Sequence, residues 1–185
     1  MERTNAYSLL AFLDNSPSNF FATATIQRYL DDNGFQELKQ SERWNLEKGG
    51  KYYVKKNATA IFGFVIGETP LHQSGFNMIS AHSDSPCFRI KPNPEMLADG
   101  VLKLNTEVYG GPILYTWFDR PLSLAGRVIV RNPQNPARPI TKLIDFASPV
   151  LIIPHLAIHF NRNVNAGNPL SKQKDMLPIA AIVSD

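Results

Sequence analysis

A single cysteine, Cys87, occurs in the 185 residues, which excludes a disulfide framework within the chain and a thiolate metal cluster. It fits a reduced, cytoplasmic compartment. No stretch approaches the ~20 consecutive apolar residues that cross a bilayer. The opening MERTNAYSLLAFLDNS also lacks the basic start, unbroken apolar run and small-residue cleavage site of a signal peptide. No membrane partner and no export are therefore expected, and Asn57-Ala58-Thr59, which has the N-glycosylation pattern, is expected to stay unmodified. Nor is there a strong excess of one charge: Lys+Arg 19 against Asp+Glu 16 leaves a net charge of +3. The basic residues stand singly or in pairs such as Lys55-Lys56, without the clustered stripe that a nucleic-acid partner needs. His-Glu-x-x-His, a phosphate-binding glycine loop and a Cys-x-x-Cys pair are all missing, which removes several enzyme classes.

What is present is an ordinary globular composition, 43% hydrophobic, enough for one domain or two small ones. Leu9, Leu10 and Leu13 fall at helical spacing and predict a helix over Thr4–Asn15, which Ser16-Pro17 ends because the residue before proline disfavours helical backbone. A second helix is predicted from the N-cap Ser18, with Ala22, Ile26, Tyr29 and Leu30 on its packed face and Asn33-Gly34 as its stop. The β-branched and aromatic runs Lys51–Val54 and Ala60–Ile66 predict a hairpin turning at Lys55-Lys56-Asn57, on which the helices would pack. Phe76–Ala81 reads as a buried strand running into His82.

Beyond Lys91 the texture changes, through Pro92-Asn93-Pro94, to short alternating runs: Val101–Val108, Ile113–Phe118, Leu122–Arg131 and Leu143 onward. The fold class expected is thus α/β for residues 1–92, followed by a β-rich part over 93–185.

The feature with the most chemistry is Ala81-His82-Ser83-Asp84-Ser85-Pro86, a His-x-Asp at the end of an apolar strand. In α/β sheets the ligand crevice lies beyond the carboxyl ends of strands. An aspartate two residues on can hold the imidazole N–H of a metal-bound histidine and fix its tautomer. By itself the pattern favours a surface or hydrogen-bonded histidine over a metal or catalytic one.

Its context narrows the choice. The segment AHSDSPCFRIKPNP is similar to the one that carries the first zinc-binding histidine of the M18 (aspartyl aminopeptidase) family. TEVYGGPILYTWFDRPLSLAGRVIV and PVLIIPHLAIHFNRNVN also resemble M18 segments, in the same order and at similar spacing, as does the Asp31-Asp32-Asn33-Gly34-Phe35 stretch. The resemblance implies a two-zinc aminopeptidase acting on the N-terminal bond of peptides, with acidic residues as its preferred substrates. It implies that His82 is a zinc ligand and that Asp84 supports the catalytic centre from behind. His159 would act catalytically, reaching from the β-rich domain into a neighbouring subunit's active site to contact substrate and stabilise the tetrahedral intermediate; a direct metal role for His159 is the lesser reading. The β-rich part would be an inserted dimerisation domain, and the protein a homo-oligomer.

The family's other metal-binding carboxylates, its general base and its last histidine lie beyond Ser184-Asp185, so the chain is expected to be the amino-terminal portion of such an enzyme. The rival reading is a catalytically inactive shortened homologue that works only through its dimerisation domain. His72 and His155 are read as structural or surface residues, Cys87 as an ordinary thiol, Tyr109-Gly110-Gly111 and Trp117-Phe118 as turn and packing residues, and Asp119 as the structural partner of Arg120.

Overall fold

A computed structural model describes residues 2–183, which form two compact units. The first comprises the chain up to Asp84 together with Gly126–Ile144; the second comprises Ser85–Ala125 together with the chain from Asp145 onward. The expected α/β class holds, with helices and sheets mixed along the chain.

In the first unit, helices α1 (Glu2–Asp14) and α2 (Asn19–Asp32) precede strands β1 (Gln36–Glu37), β2 (Lys51–Lys56) and β3 (Ala60–Val65). Strand β2 lies at the centre, parallel to β1 and antiparallel to β3. Ser18 is the N-cap of α2, and Gly34 takes the left-handed conformation at φ +79° just past its end, as the sequence predicts. Helix α2 packs on β3 where Gly63 leaves room: a Cβ there would come within 3.3 Å of the Leu30 side chain. Ala22 is buried as expected, whereas Tyr29 is exposed because the packed stripe turns toward Thr23 and away from it. The hairpin turns later than the run of lysines suggests. Asn57 and Ala58 are both left-handed at φ 54°, and Thr59 N donates to Lys56 O at 3.1 Å.

Tyr53 on β2 is only 2% exposed and donates to Asp31 Oδ1 of α2 at 2.8 Å. Burial, and then the hydrogen bond and negative charge of Asp31, push its phenol up to about 12 from 10.0. An unfolded chain ionises this group near pH 10 while the folded one keeps its proton, so the stabilisation is complete below pH 10 and is lost between pH 10 and about 12. Two pKa units correspond to about 2 to 3 kcal/mol. Denaturant unfolding of the wild type and Tyr53→Phe should therefore show a stability difference that shrinks across this pH window; a constant difference contradicts the coupling.

Phe76–Ala81 departs from its expected strand. It follows the short α3 (Leu71–Ser74) as irregular, exposed chain, with Ile79 at 103% exposure. A strand apolar on both faces holds its form only when neighbours pair with it and cover it, and no strand among the described residues pairs with 76–81.

In the second unit, β4 (Cys87–Ala98), β5 (Val101–Tyr109) and β8 (Ile179–Ile182) form an antiparallel sheet in the order β4-β5-β8. Strand β4 runs straight through Pro92-Asn93-Pro94. It accommodates them by shifting register between Ile90 and Glu95, with Asn93 at φ 55°, since a bulge tolerates the missing proline N–H groups. A left-handed Asp99-Gly100 pair turns β4 into β5. Ile113–Phe118, expected as a strand, instead forms a 3-10 turn at Leu114–Trp117. Both the N–H and the Oγ1 of Thr116 donate to Ile113 O, at 3.1 and 2.7 Å, a local alternative that competes with ladder pairing. Ile153, Met176 and Leu177 form the buried apolar centre of this unit. Strands β6 (Ala125–Val130) and β7 (Ile140–Asp145), which but for their end residues Ala125 and Asp145 belong to the first unit, pair as a separate two-stranded sheet.

Candidate metal centre

His82 and Asp84 sit in the irregular segment between α3 and β4, in the first unit. The imidazole is 81% exposed, and its Nδ1 lies 2.7 Å from the Asp84 backbone oxygen and 3.3 Å from Asp84 Oδ1. A neutral ring in this setting carries its proton on Nδ1 and donates it to Asp84, which leaves the Nε2 lone pair facing outward. That tautomer is the one a histidine needs to ligate a cation through Nε2.

The intervening Ser83 points elsewhere and donates through Oγ to Thr59 O in the β2–β3 turn at 2.9 Å. Sequence reasoning passed over this residue, since nothing in its local pattern signals a bond to a turn 24 positions upstream.

One nitrogen donor fits zinc but does not complete a site, because a zinc centre takes three or four protein ligands. Among the described residues no group of three or more His, Cys, Asp or Glu side chains is arranged to hold a metal ion. A concavity of about 530 Å³ on the first unit, lined by Asn33, Gln36, Asn45, Glu47 and Lys51 among others, includes neither His82 nor Asp84.

His159 belongs to the second unit, in a turn after Pro154 and exposed to solvent, with exposed Ile158 and Phe160 on either side. Tyr115 and Asn161 brace the neighbouring loop: the Tyr115 hydroxyl donates to Asn168 O, and Asn168 Nδ2 donates to Asn161 Oδ1 at 3.0 Å. His155 stands apart in role. Its backbone N–H donates to Asp119 Oδ1 at 2.9 Å and its ring meets Phe118 edge-on at 4.6 Å. Asp119, read as the partner of Arg120, thus spends its carboxylate on the His155 backbone, and it holds a left-handed φ of 54° while doing so. Trp117 packs edge-on against Phe88 at 4.8 Å, in line with the packing role expected of it. Cys87 is half-buried at the start of β4.

Residues 12–185 match the sequence model of the peptidase M18 family, described as aminopeptidase I zinc metalloprotease. The chain belongs to the M18 family. It is 54% identical over 181 residues to a probable M18 family aminopeptidase 2 of Clostridium novyi, an alignment covering 97% of this chain and 42% of that protein. Among solved structures it is similar to Ape4 in its complex with Nbr1, with a TM-score of 0.91 and 35% identity over 96% of this chain and 34% of that one. The S. cerevisiae mApe1 dodecamer shares the fold, with a TM-score of 0.78 and 23% identity over 97% of this chain and 39% of that one. The chain therefore spans less than half the length of each of these proteins. No helix among the described residues is long and apolar enough to cross a membrane.

Proposed function

We propose that the protein carrying this chain is a zinc aminopeptidase that removes the N-terminal residue of peptides. In this reading His82 ligates zinc, Asp84 orients His82, and His159 donates a hydrogen bond to the reacting carbonyl of substrate held by another subunit. The observation that carries it is the His82 geometry: Nδ1 is engaged by Asp84 and Nε2 is left for a cation, in a chain of a family described as zinc metalloproteases. Two zinc ions per site would polarise the scissile carbonyl and acidify a water at neutral pH. The part of the work done by these residues is narrower. Asp84 holds the ring and its proton, His82 offers one lone pair, and His159 meets charge developing on the substrate oxygen.

Acidic N-terminal residues are the preferred substrates in this reading. The protein works in the cytoplasm as a homo-oligomer paired through the β-rich part beyond Pro92, where exposed Ile158 and Phe160 flank His159. The dodecameric mApe1 lends the oligomer support as a protein of the same fold.

The rival reading is a catalytically inactive shortened homologue acting only through its dimerisation domain. The two readings separate in one assay. The intact protein should release N-terminal residues from aminoacyl chromogenic substrates in a chelator-sensitive way, with Asp or Glu substrates fastest. Residues 1–185 alone should bind zinc weakly and release nothing, because a cation held by one protein donor stays largely hydrated. Chelator-sensitive turnover by the mass-verified 185-residue chain contradicts this division of labour, and an intact protein without activity favours the rival.

A further inference from the structure

The hydroxyl of Ser83, between His82 and Asp84, is committed to a single acceptor, Thr59 O. Thr59 ends the turn between β2 and β3, whose two central residues, Asn57 and Ala58, are both left-handed. For alanine that conformation costs about 1 to 2 kcal/mol, and such strain persists where surrounding contacts over-determine the backbone.

The contacts are present. Arg127, on β6, donates from Nη1 to Asn57 O at 3.1 Å and lays its guanidinium over the Phe20 ring of α2, 4.4 Å from the centroid. The turn's carbonyls at 57 and 59 are thus taken by two side chains from distant parts of the same unit, one of them adjacent to His82.

We propose that Ser83 and Arg127 are positioning residues for His82. Arg127 fixes the Asn57–Thr59 turn to α2, and Ser83 fixes the His82–Asp84 segment to that turn. The exposed imidazole thereby keeps Nδ1 on Asp84 and presents Nε2 as a preset lone pair. In the 185-residue chain the ring is 81% exposed and meets Asp84, so its orientation there rests on that contact and on the backbone beneath it. The inference rests on reading His82 as a zinc ligand, but its first readout does not require zinc.

The test uses the intact protein stripped of metal with a chelator and labelled with ¹⁵N-histidine, with the His82 signals assigned from their absence in His82→Gln. Solid-state nitrogen shifts of the neutral ring should show the Nδ1–H tautomer in wild type and in Ser83→Thr, which keeps the hydroxyl. Ser83→Ala should move the ring toward the Nε2–H form that free imidazole side chains favour. Arg127→Met keeps an apolar stem over Phe20 and loses the donor to Asn57 O; it should move the ring the same way and serves if Ser83→Ala fails to fold.

In a competition titration with a chromophoric chelator, zinc affinity should fall roughly 10-fold in Ser83→Ala and Arg127→Met and stay within about twofold in Ser83→Thr, the loss expected when support behind a ligand is removed. Folded Ser83→Ala and Arg127→Met proteins with wild-type tautomer and wild-type zinc affinity overturn the proposal. The zinc reading fails separately. If His82→Gln keeps full zinc while Ser83→Ala still shifts the tautomer, the positioning role stands and the ligand assignment falls.

Discussion

His82→Ala in the intact protein is expected to abolish aminopeptidase activity and to remove about one zinc per subunit, since each ion of a two-metal site depends on its few protein donors. The effect should be several powers of ten in turnover, because the chemistry is assigned to the metal and none of it to the ring itself. Asp84→Asn should behave differently, and the geometry says by how much. The shorter contact from His82 Nδ1, 2.7 Å, is to the Asp84 backbone oxygen, while the carboxylate lies at 3.3 Å. An asparagine keeps the backbone acceptor and loses only the negative charge behind the ring. Loss of an outer carboxylate partner typically costs about 10 to 100 fold, and the surviving backbone bond puts this variant toward the lower figure. Metal analysis alongside initial rates separates the cases. Full zinc occupancy in folded His82→Ala removes the central assignment, and a loss in Asp84→Asn as deep as in His82→Ala makes the carboxylate a ligand in its own right.

The parts of this molecule that were legible in sequence are those whose causes are local. The proline after Ser16, the cap at Ser18 and the glycine at position 34 each act within one helical turn, and α1 and α2 begin and end within two residues of where those signals put them. The contact between His82 and Asp84 has an equally local cause, since it spans two residues. Phe76–Ala81 was misread because an apolar run specifies a buried strand only together with the strands that flank it, and pairing of that kind is not written in the run itself. The 3-10 turn at Leu114–Trp117 was misread because Thr116 satisfies Ile113 O with two donors at once, a choice that hydrophobic spacing does not register. Strand β4 was hidden by Pro92 and Pro94, whose missing donors fall at the register shift where they do no damage. Ser83 and Arg127 carry no signal in their own segments; their significance arises from the turn at Asn57–Thr59 that both reach.

His159→Gln should lower turnover by two to three powers of ten with zinc content unchanged, about 2.7 to 4 kcal/mol, the loss measured when one donor to a developing oxyanion is removed. A glutamine can still hydrogen-bond but lacks the ring's reach and its capacity to carry a positive charge. If the residue only served its own loop, the variant would lose some stability and keep its rate. In the 185-residue chain His159 is exposed, Phe160 beside it is 80% exposed, and the loop is braced through Tyr115, Asn161 and Asn168 without using the imidazole among the described contacts; the proposed reading has a partner cover it. Whether the covering partner is a second subunit is decided by mixing. His82→Ala subunits retain a sound His159, and His159→Gln subunits retain a sound metal site. Random pairing into dimers makes about half the pairs mixed, each with one complete site if the histidine crosses between subunits, so roughly a quarter of wild-type activity should return. Verified mixed oligomers that recover nothing place His159 in its own subunit's chemistry or outside the reaction altogether, and unchanged turnover in His159→Gln alone excludes the oxyanion role before any mixing is done.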